Sequence, residues 1–183
     1  MLPRMTRRRA LWILAIVTLG LFAVLAALDG TMQDAGNSGI VDFELAFTSD
    51  RAGEILAAWG DEGRDAARLS LWLDYLYLVA YGLFLWLAVK ALRDAALRRG
   101  WERFARPGGA IAVLPLVAAG ADAVEDAFLL LVLGGHGGGA APALAGGFAV
   151  LKFAALAVTL LYLLVGLVGF AIHRRGAREG TLA

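Results

Sequence analysis

Residues 108–133 read GGAIAVLPLVAAGADAVEDAFLLLVL. A bilayer-crossing helix takes about 20 mainly apolar residues, and this run is long enough. Yet Asp122, Glu125 and Asp126 stand inside it. A charge at the bilayer centre costs from about 2.5 to well over 10 kcal/mol, depending on the method. The three acids fall at i, i+3 and i+4, so a helix gathers them on one face. That face must turn inward, toward other helices, because lipid cannot solvate it.

The rest of the chain fits such an interior. Its 183 residues are 60% hydrophobic and 18% charged, with a mean hydropathy of +0.71. Ordinary soluble domains are about 45–50% apolar and about 25% charged. A soluble fold with this composition would expose large apolar patches. A soluble enzyme, a disordered tail and a nucleic-acid binder are therefore excluded. The net charge of +1 selects no polyanionic partner.

Three more apolar runs are long enough to span, at 10–28, 69–92 and 144–172. Together they predict an all-α membrane protein, 1–183 as a single membrane domain, built as an up-down four-helix transmembrane bundle. The first run follows Arg7, Arg8 and Arg9 and ends near Val24-Leu25-Ala26, so it also has features of a signal peptide. Its apolar stretch exceeds the usual 7–15 residues of such a segment, roughly speaking, which favours an uncleaved anchor.

Lys and Arg set the expected orientation. The N-terminal tail, the 93–106 segment and the C-terminal tail are basic, whereas 29–68 carries Asp29, Asp34, Asp42, Glu44, Asp50, Glu54, Asp61, Glu62 and Asp65. Both termini are expected in the cytoplasm of a bacterium, with the chain in its inner membrane. Residues 29–68 then form an extracytoplasmic cap. Val41, Phe43, Leu45 and Phe47 alternate with polar or small residues, which predicts a short strand. Thr48-Ser49-Asp50 offers N-cap chemistry to an amphipathic helix through Trp59, ended by Gly60. A second helix then runs into the 69–92 span. The cap is expected to rest on the outer surface with Trp59 at headgroup level, or to act as a lid. Between 93 and 106, Leu97, Trp101 and Phe104 interleave with Arg, as in an interfacial helix.

Ionisable residues within the spans are the candidate site. They are Asp74, Asp122, Glu125, Asp126 and Lys152. Counting from the loop ends places all five in the outer half of the bilayer, with Asp122 deepest. Ser70, Asp74, Tyr77 and Tyr81 make one stripe of the second span, and Lys152, Thr159 and Gly166 one stripe of the fourth. Gly120, Gly166 and Gly169 are expected to allow close helix approach. Four like charges so close cannot all ionise without compensation by protons, a cation, water or a cationic ligand. Lys152 is one of only two lysines in an Arg-rich chain, and Lys, unlike Arg, can give up its proton when desolvated.

Glu54-Ile-Leu-Ala-Ala-Trp59, Leu73-Asp-Tyr75 with Tyr81, Asp122-Ala-Val-Glu125-Asp126 and Leu151-Lys152-Phe153 resemble a pattern in an uncharacterised group of small bacterial four-span integral membrane proteins. The likeness covers the cap and the last three spans. It implies no activity. In that pattern an Asn follows the Glu, whereas this chain has Asp126.

Three functions remain open at this point. One is binding or conducting a small ligand, proton or cation through Asp74, Tyr77, Tyr81, Asp122, Glu125, Asp126 and Lys152. Another is an intramembrane enzyme on a lipid or isoprenoid substrate, with Glu125 or Asp122 as acid or base and Lys152 as electrostatic partner or proton donor. The third is a structural or assembly role. The expected partners are the bilayer itself and a lipid or small cationic ligand, with oligomerisation left open. No motif requires a cofactor. Asp122, Glu125 and Asp126 would suit Mg²⁺ or Ca²⁺ as an all-oxygen set. Zinc is disfavoured, because there is no Cys and His136 and His173 fall at opposite ends.

Overall fold

Pro115 divides the stretch that decides the fold. In the computed structural model, which describes residues 4–136 and 138–179, it sits in the first turn of a helix, where its missing N–H costs nothing. The expected span at 108–133 is therefore two pieces, α5 (Gly108–Ile111) and α6 (Leu114–Leu133). The other helices are α1 (Arg4–Gly36), α2 (Ile40–Glu44), α3 (Ser49–Leu97), α4 (Glu102–Ala105) and α7 (Ala141–Glu179). The chain is all-helical, with no strand among the described residues.

Three helices are long and apolar enough to cross a membrane: Thr6–Gly36, Ser49–Leu97 and Ala141–His173. Their outward faces are apolar and open, as at Ile16 (68% exposed) and Leu161 (62% exposed). Such surfaces suit hydrocarbon. α6 is also apolar, but its three acids set it apart from these three. α1 packs along α3, α6 packs along α7, and α3 touches both of the latter. At Gly82 the α3 backbone comes close to α6, leaving room only for Ala119 and the Pro115 carbonyl. Gly120, expected at such a contact, faces open space, and Gly166 accommodates Leu92 and Phe104 instead.

The 40–47 segment corrects the expected strand. The same residues also satisfy a helical period, and two carboxylates settle the choice. Asp42 accepts from the Gly39 amide (2.9 Å) and Asp29 of α1 accepts from the Ile40 amide (2.6 Å). Both satisfy amides that a helix start leaves free. Phe43 and Glu44 then turn inward together, where a strand would have put them on opposite sides.

Thr48 caps α3, its hydroxyl oxygen accepting from the Arg51 amide at 3.2 Å. The helix breaks at Gly60 (φ 58°, ψ −155°), a conformation essentially restricted to glycine. Arg64 bridges the break by donating Nε–H to the Leu56 carbonyl at 2.8 Å. The amphipathic helix ending at Gly60 and its continuation into a long apolar helix are thus both present. Trp59 is corrected: it is 2% exposed, donates to the Ser38 carbonyl at 2.7 Å and packs on Phe43. It anchors a core joining α1, α2, α3, α6 and α7 rather than facing outward.

At the opposite end Arg7 pairs with Asp94 at 2.6 Å, tying the start of α1 to the end of α3. Trp101 packs on Phe170 and Phe104 stacks on Tyr162. The expected interfacial segment is divided between the end of α3, a short connection and α4, with Trp101 and Phe104 packed on α7.

Candidate functional site

Four helices deliver polar side chains to one place. α6 is wound so that Asp122, Glu125 and Asp126 lie on its packed face, as their spacing requires. All three are buried, Glu125 completely and Asp126 to 2% exposure. From α7, Lys152 (6% exposed) reaches across to them. Its Nζ is 2.8 Å from Asp122 Oδ1 and 2.9 Å from Glu125 Oε2. A third carboxylate, Glu44 of α2, lies 3.2 Å from the same nitrogen. One ammonium with three donors therefore meets three carboxylates. In a dry setting such an arrangement holds only if every member stays in place.

α3 supplies the other side. The Tyr81 hydroxyl donates to Asp122 Oδ2 at 2.8 Å. Asp122 is thereby held by both Tyr81 and Lys152. Tyr77 packs on Tyr81 with ring centroids 5.1 Å apart, and on Phe22 of α1. Asp74 is half-buried, and one oxygen each from Asp74, Asp122 and Asp126 lie within 4.8 Å of one another. Asp126 Oδ2 is buried and has no hydrogen-bond partner.

Every residue of the expected constellation is thus brought together, with two corrections. Glu125 faces Lys152, and Asp74 replaces it in the trio that could hold a cation. Thr159 and Gly166 share a stripe with Lys152 but serve packing: Thr159 donates to the Ala155 carbonyl of its own helix at 2.8 Å. Glu44 was missed, because a strand would have pointed it outward. Its signal was the i, i+3, i+4 set Ile40, Phe43 and Glu44, an acid on an otherwise apolar helical face.

A cavity of about 480 Å³ opens onto this cluster. Asp74, Asp122, Asp126, Glu44 and Lys152 line its end beside α2. Further along, the lining becomes mostly apolar, with Phe22 and Leu25 from α1 and Leu156 and Leu160 from α7, beside the buried, unpartnered Thr18 hydroxyl. Burial pushes the Glu44 carboxyl up from its ordinary value, more than Lys152 pulls it down. Asp74 and Asp126, unlike Asp122, Glu125 and Glu44, have no ammonium or guanidinium within ion-pair distance among the described residues. No known protein family, curated protein or solved structure matches the chain.

Proposed function

We propose that this chain is a multi-pass membrane protein that binds a small cationic ligand at a buried carboxylate–lysine site in the outer half of a bacterial inner membrane. In this reading the chain is one of the small four-span proteins whose motifs it resembles. α6 crosses as the fourth span: its 20 residues extend about 30 Å, the thickness of the hydrocarbon core. The acids that make it less apolar are all buried against α3 and α7 and do not meet lipid. The basic end, with Arg7, Arg98 and Arg99, faces the cytoplasm, and the acidic end around α2 faces out.

The observation that carries the proposal is the imbalance around the cavity. Six carboxyl groups line or adjoin it, and among the described residues Lys152 is the one cation with them, already engaged by three. Asp74 and Asp126 are left to whatever enters. Intramembrane carboxylates of this kind mark ion and ligand sites. A divalent cation is a second reading, favoured by the mutual spacing of Asp74, Asp122 and Asp126.

The test is thermal unfolding of the purified protein in phosphatidylcholine nanodiscs, titrated with methylammonium, Mg²⁺ and Ca²⁺. At least one cation raises the midpoint of the wild type but not of an Asp74→Asn, Asp126→Asn double variant. Identical responses of the two proteins to all three cations would overturn the proposal.

A further inference from the structure

The cavity is polar at one end and apolar at the other, and its direction is set by three helices at once. From Asp74, α3 runs past Tyr77 and Tyr81 to Phe84, all on the lining. From Lys152, α7 runs past Leu156 to Leu160, and α1 runs from Asp29 past Leu25 to Phe22. Each path leads away from α2, from charge to hydrocarbon, over about two to three helical turns or about 10–15 Å. A small hydrated cation uses only the first part of this space. The remainder is mostly apolar, and the Thr18 hydroxyl of α1 is its one unpartnered buried polar group among the described residues.

α1 and α7 form facing sides of the cavity, yet they are not packed along one another. Phe22 remains 57% exposed at this edge. The polar end lies toward the cap and the apolar end toward the membrane interior, the same sense in which an outer-leaflet amphiphile lies.

From these relations we infer that the ligand is a single-chain amphiphile with a primary ammonium head, entering from the bilayer between α1 and α7. The inference rests on the cation-binding reading above and names the ligand class. Its head meets Asp74 and Asp126, whose unpartnered, buried Oδ2 accepts one of the three N–H donors. The adjacent faces of Tyr77 and Tyr81 suit a cation. Its chain lies against Leu25, Leu156 and Leu160. The volume is within the range of about 300–1,000 Å³ typical of small-molecule sites. A phosphoethanolamine head fits worse, because its phosphate would add negative charge beside the surplus carboxyls. A fatty acid fails for the same reason.

Hexadecylamine, hexadecanol, palmitate and methylammonium are the probes, added to the full chain in phosphatidylcholine nanodiscs and read by thermal unfolding. Hexadecylamine at 100-fold excess over its Kd raises the midpoint by about 5–10 °C. Hexadecanol and palmitate do not, and methylammonium gives a clearly smaller shift. The Asp74→Asn, Asp126→Asn double variant loses the hexadecylamine response. Leu156→Trp, which fills the apolar half, loses it while keeping the methylammonium response. Leu25→Trp serves as a second such variant should Leu156→Trp not fold. A hexadecanol shift equal to that of hexadecylamine overturns the inference. So does a methylammonium, Mg²⁺ or Ca²⁺ shift as large as that of hexadecylamine, although the cation site then stands. Stabilisation by phosphatidylethanolamine nanodiscs alone, with no added response to hexadecylamine, overturns it in favour of a lipid headgroup.

Discussion

Lys152 Nζ lies 3.2 Å from Glu44 Oε2, joining residues 108 positions apart in the chain. Both side chains are buried. The contact ties the short α2 helix to α7 directly over the cavity, so the ion cluster is also what closes its end. The same ammonium holds Asp122 and Glu125 of α6. Lys152 is thus the common point of three helices.

Removing that point is expected to be costly. Lys152→Met keeps the stem and deletes the charge, leaving Glu44, Asp122 and Glu125 buried with no cation. Breaking a buried ion pair from one side costs about 3–5 kcal/mol. Equilibrium unfolding in mixed micelles measures the loss. Adding Glu44→Gln to Lys152→Met recovers part of it, since one buried charge is gone. A loss under about 1 kcal/mol, the scale of an exposed pair, would show that Lys152 is not held by the three carboxylates.

Glu44 gives the stability a pH dependence of definite sign. Burial raises its carboxyl above the ordinary 4.5, while Lys152 opposes the shift and Asp122 adds to it. The folded state therefore binds this proton more tightly than the unfolded chain does. The resulting stabilisation is complete below about pH 4.5 and is lost as pH rises through the folded value. Subtracting the Glu44→Gln unfolding profile from the wild-type profile between pH 4 and pH 8 isolates this contribution. The difference should fall as pH rises. A flat or rising difference contradicts the assignment.

The sequence made the long apolar helices and the charges set within apolar stretches legible for one reason. Both depend on local spacing, 3.6 residues per turn, and on a solvent that tolerates no exposed charge. Asp122, Glu125 and Asp126 could be placed on one face without any coordinates. Glu44 could not. Its segment satisfies strand and helix periods alike, and the helix is selected by Asp29, which lies in a different helix. Trp59 escaped for a similar reason, because its partner Ser38 is 21 residues away. The replacement of Glu125 by Asp74 in the trio depends on which face of α3 meets α6. That is decided by Gly82 against Ala119 and Pro115, a packing relation between distant parts of the chain.

Tyr81→Phe separates positioning from folding. The substitution deletes only the hydroxyl that donates to Asp122 Oδ2 at 2.8 Å. Hydrogen bonds to charged groups contribute about 1.5–3 kcal/mol. A loss of that size in unfolding free energy, with unchanged far-ultraviolet dichroism, is expected. Asp122 keeps its bond to Lys152, so the cation response of the cavity should weaken without vanishing. Full wild-type stability would mean that the Tyr81 hydroxyl is satisfied elsewhere.

The proposed topology can be checked cleanly because the chain has no cysteine. Glu54→Cys lies on the exposed side of the first part of α3, Gly139→Cys in the exposed α6–α7 connection, and Arg98→Cys at the exposed end of α3. With α6 as a fourth span, the first two share the outer side and the third is cytoplasmic. A membrane-impermeant maleimide applied to intact spheroplasts should label Glu54→Cys and Gly139→Cys, and should label Arg98→Cys only after permeabilisation. If α6 does not cross, Gly139→Cys is protected together with Arg98→Cys. The carboxylate cluster would then not be an intramembrane site. A fully inverted pattern would keep the four spans and reverse the orientation, placing the cavity in the inner leaflet and changing which lipids can reach it.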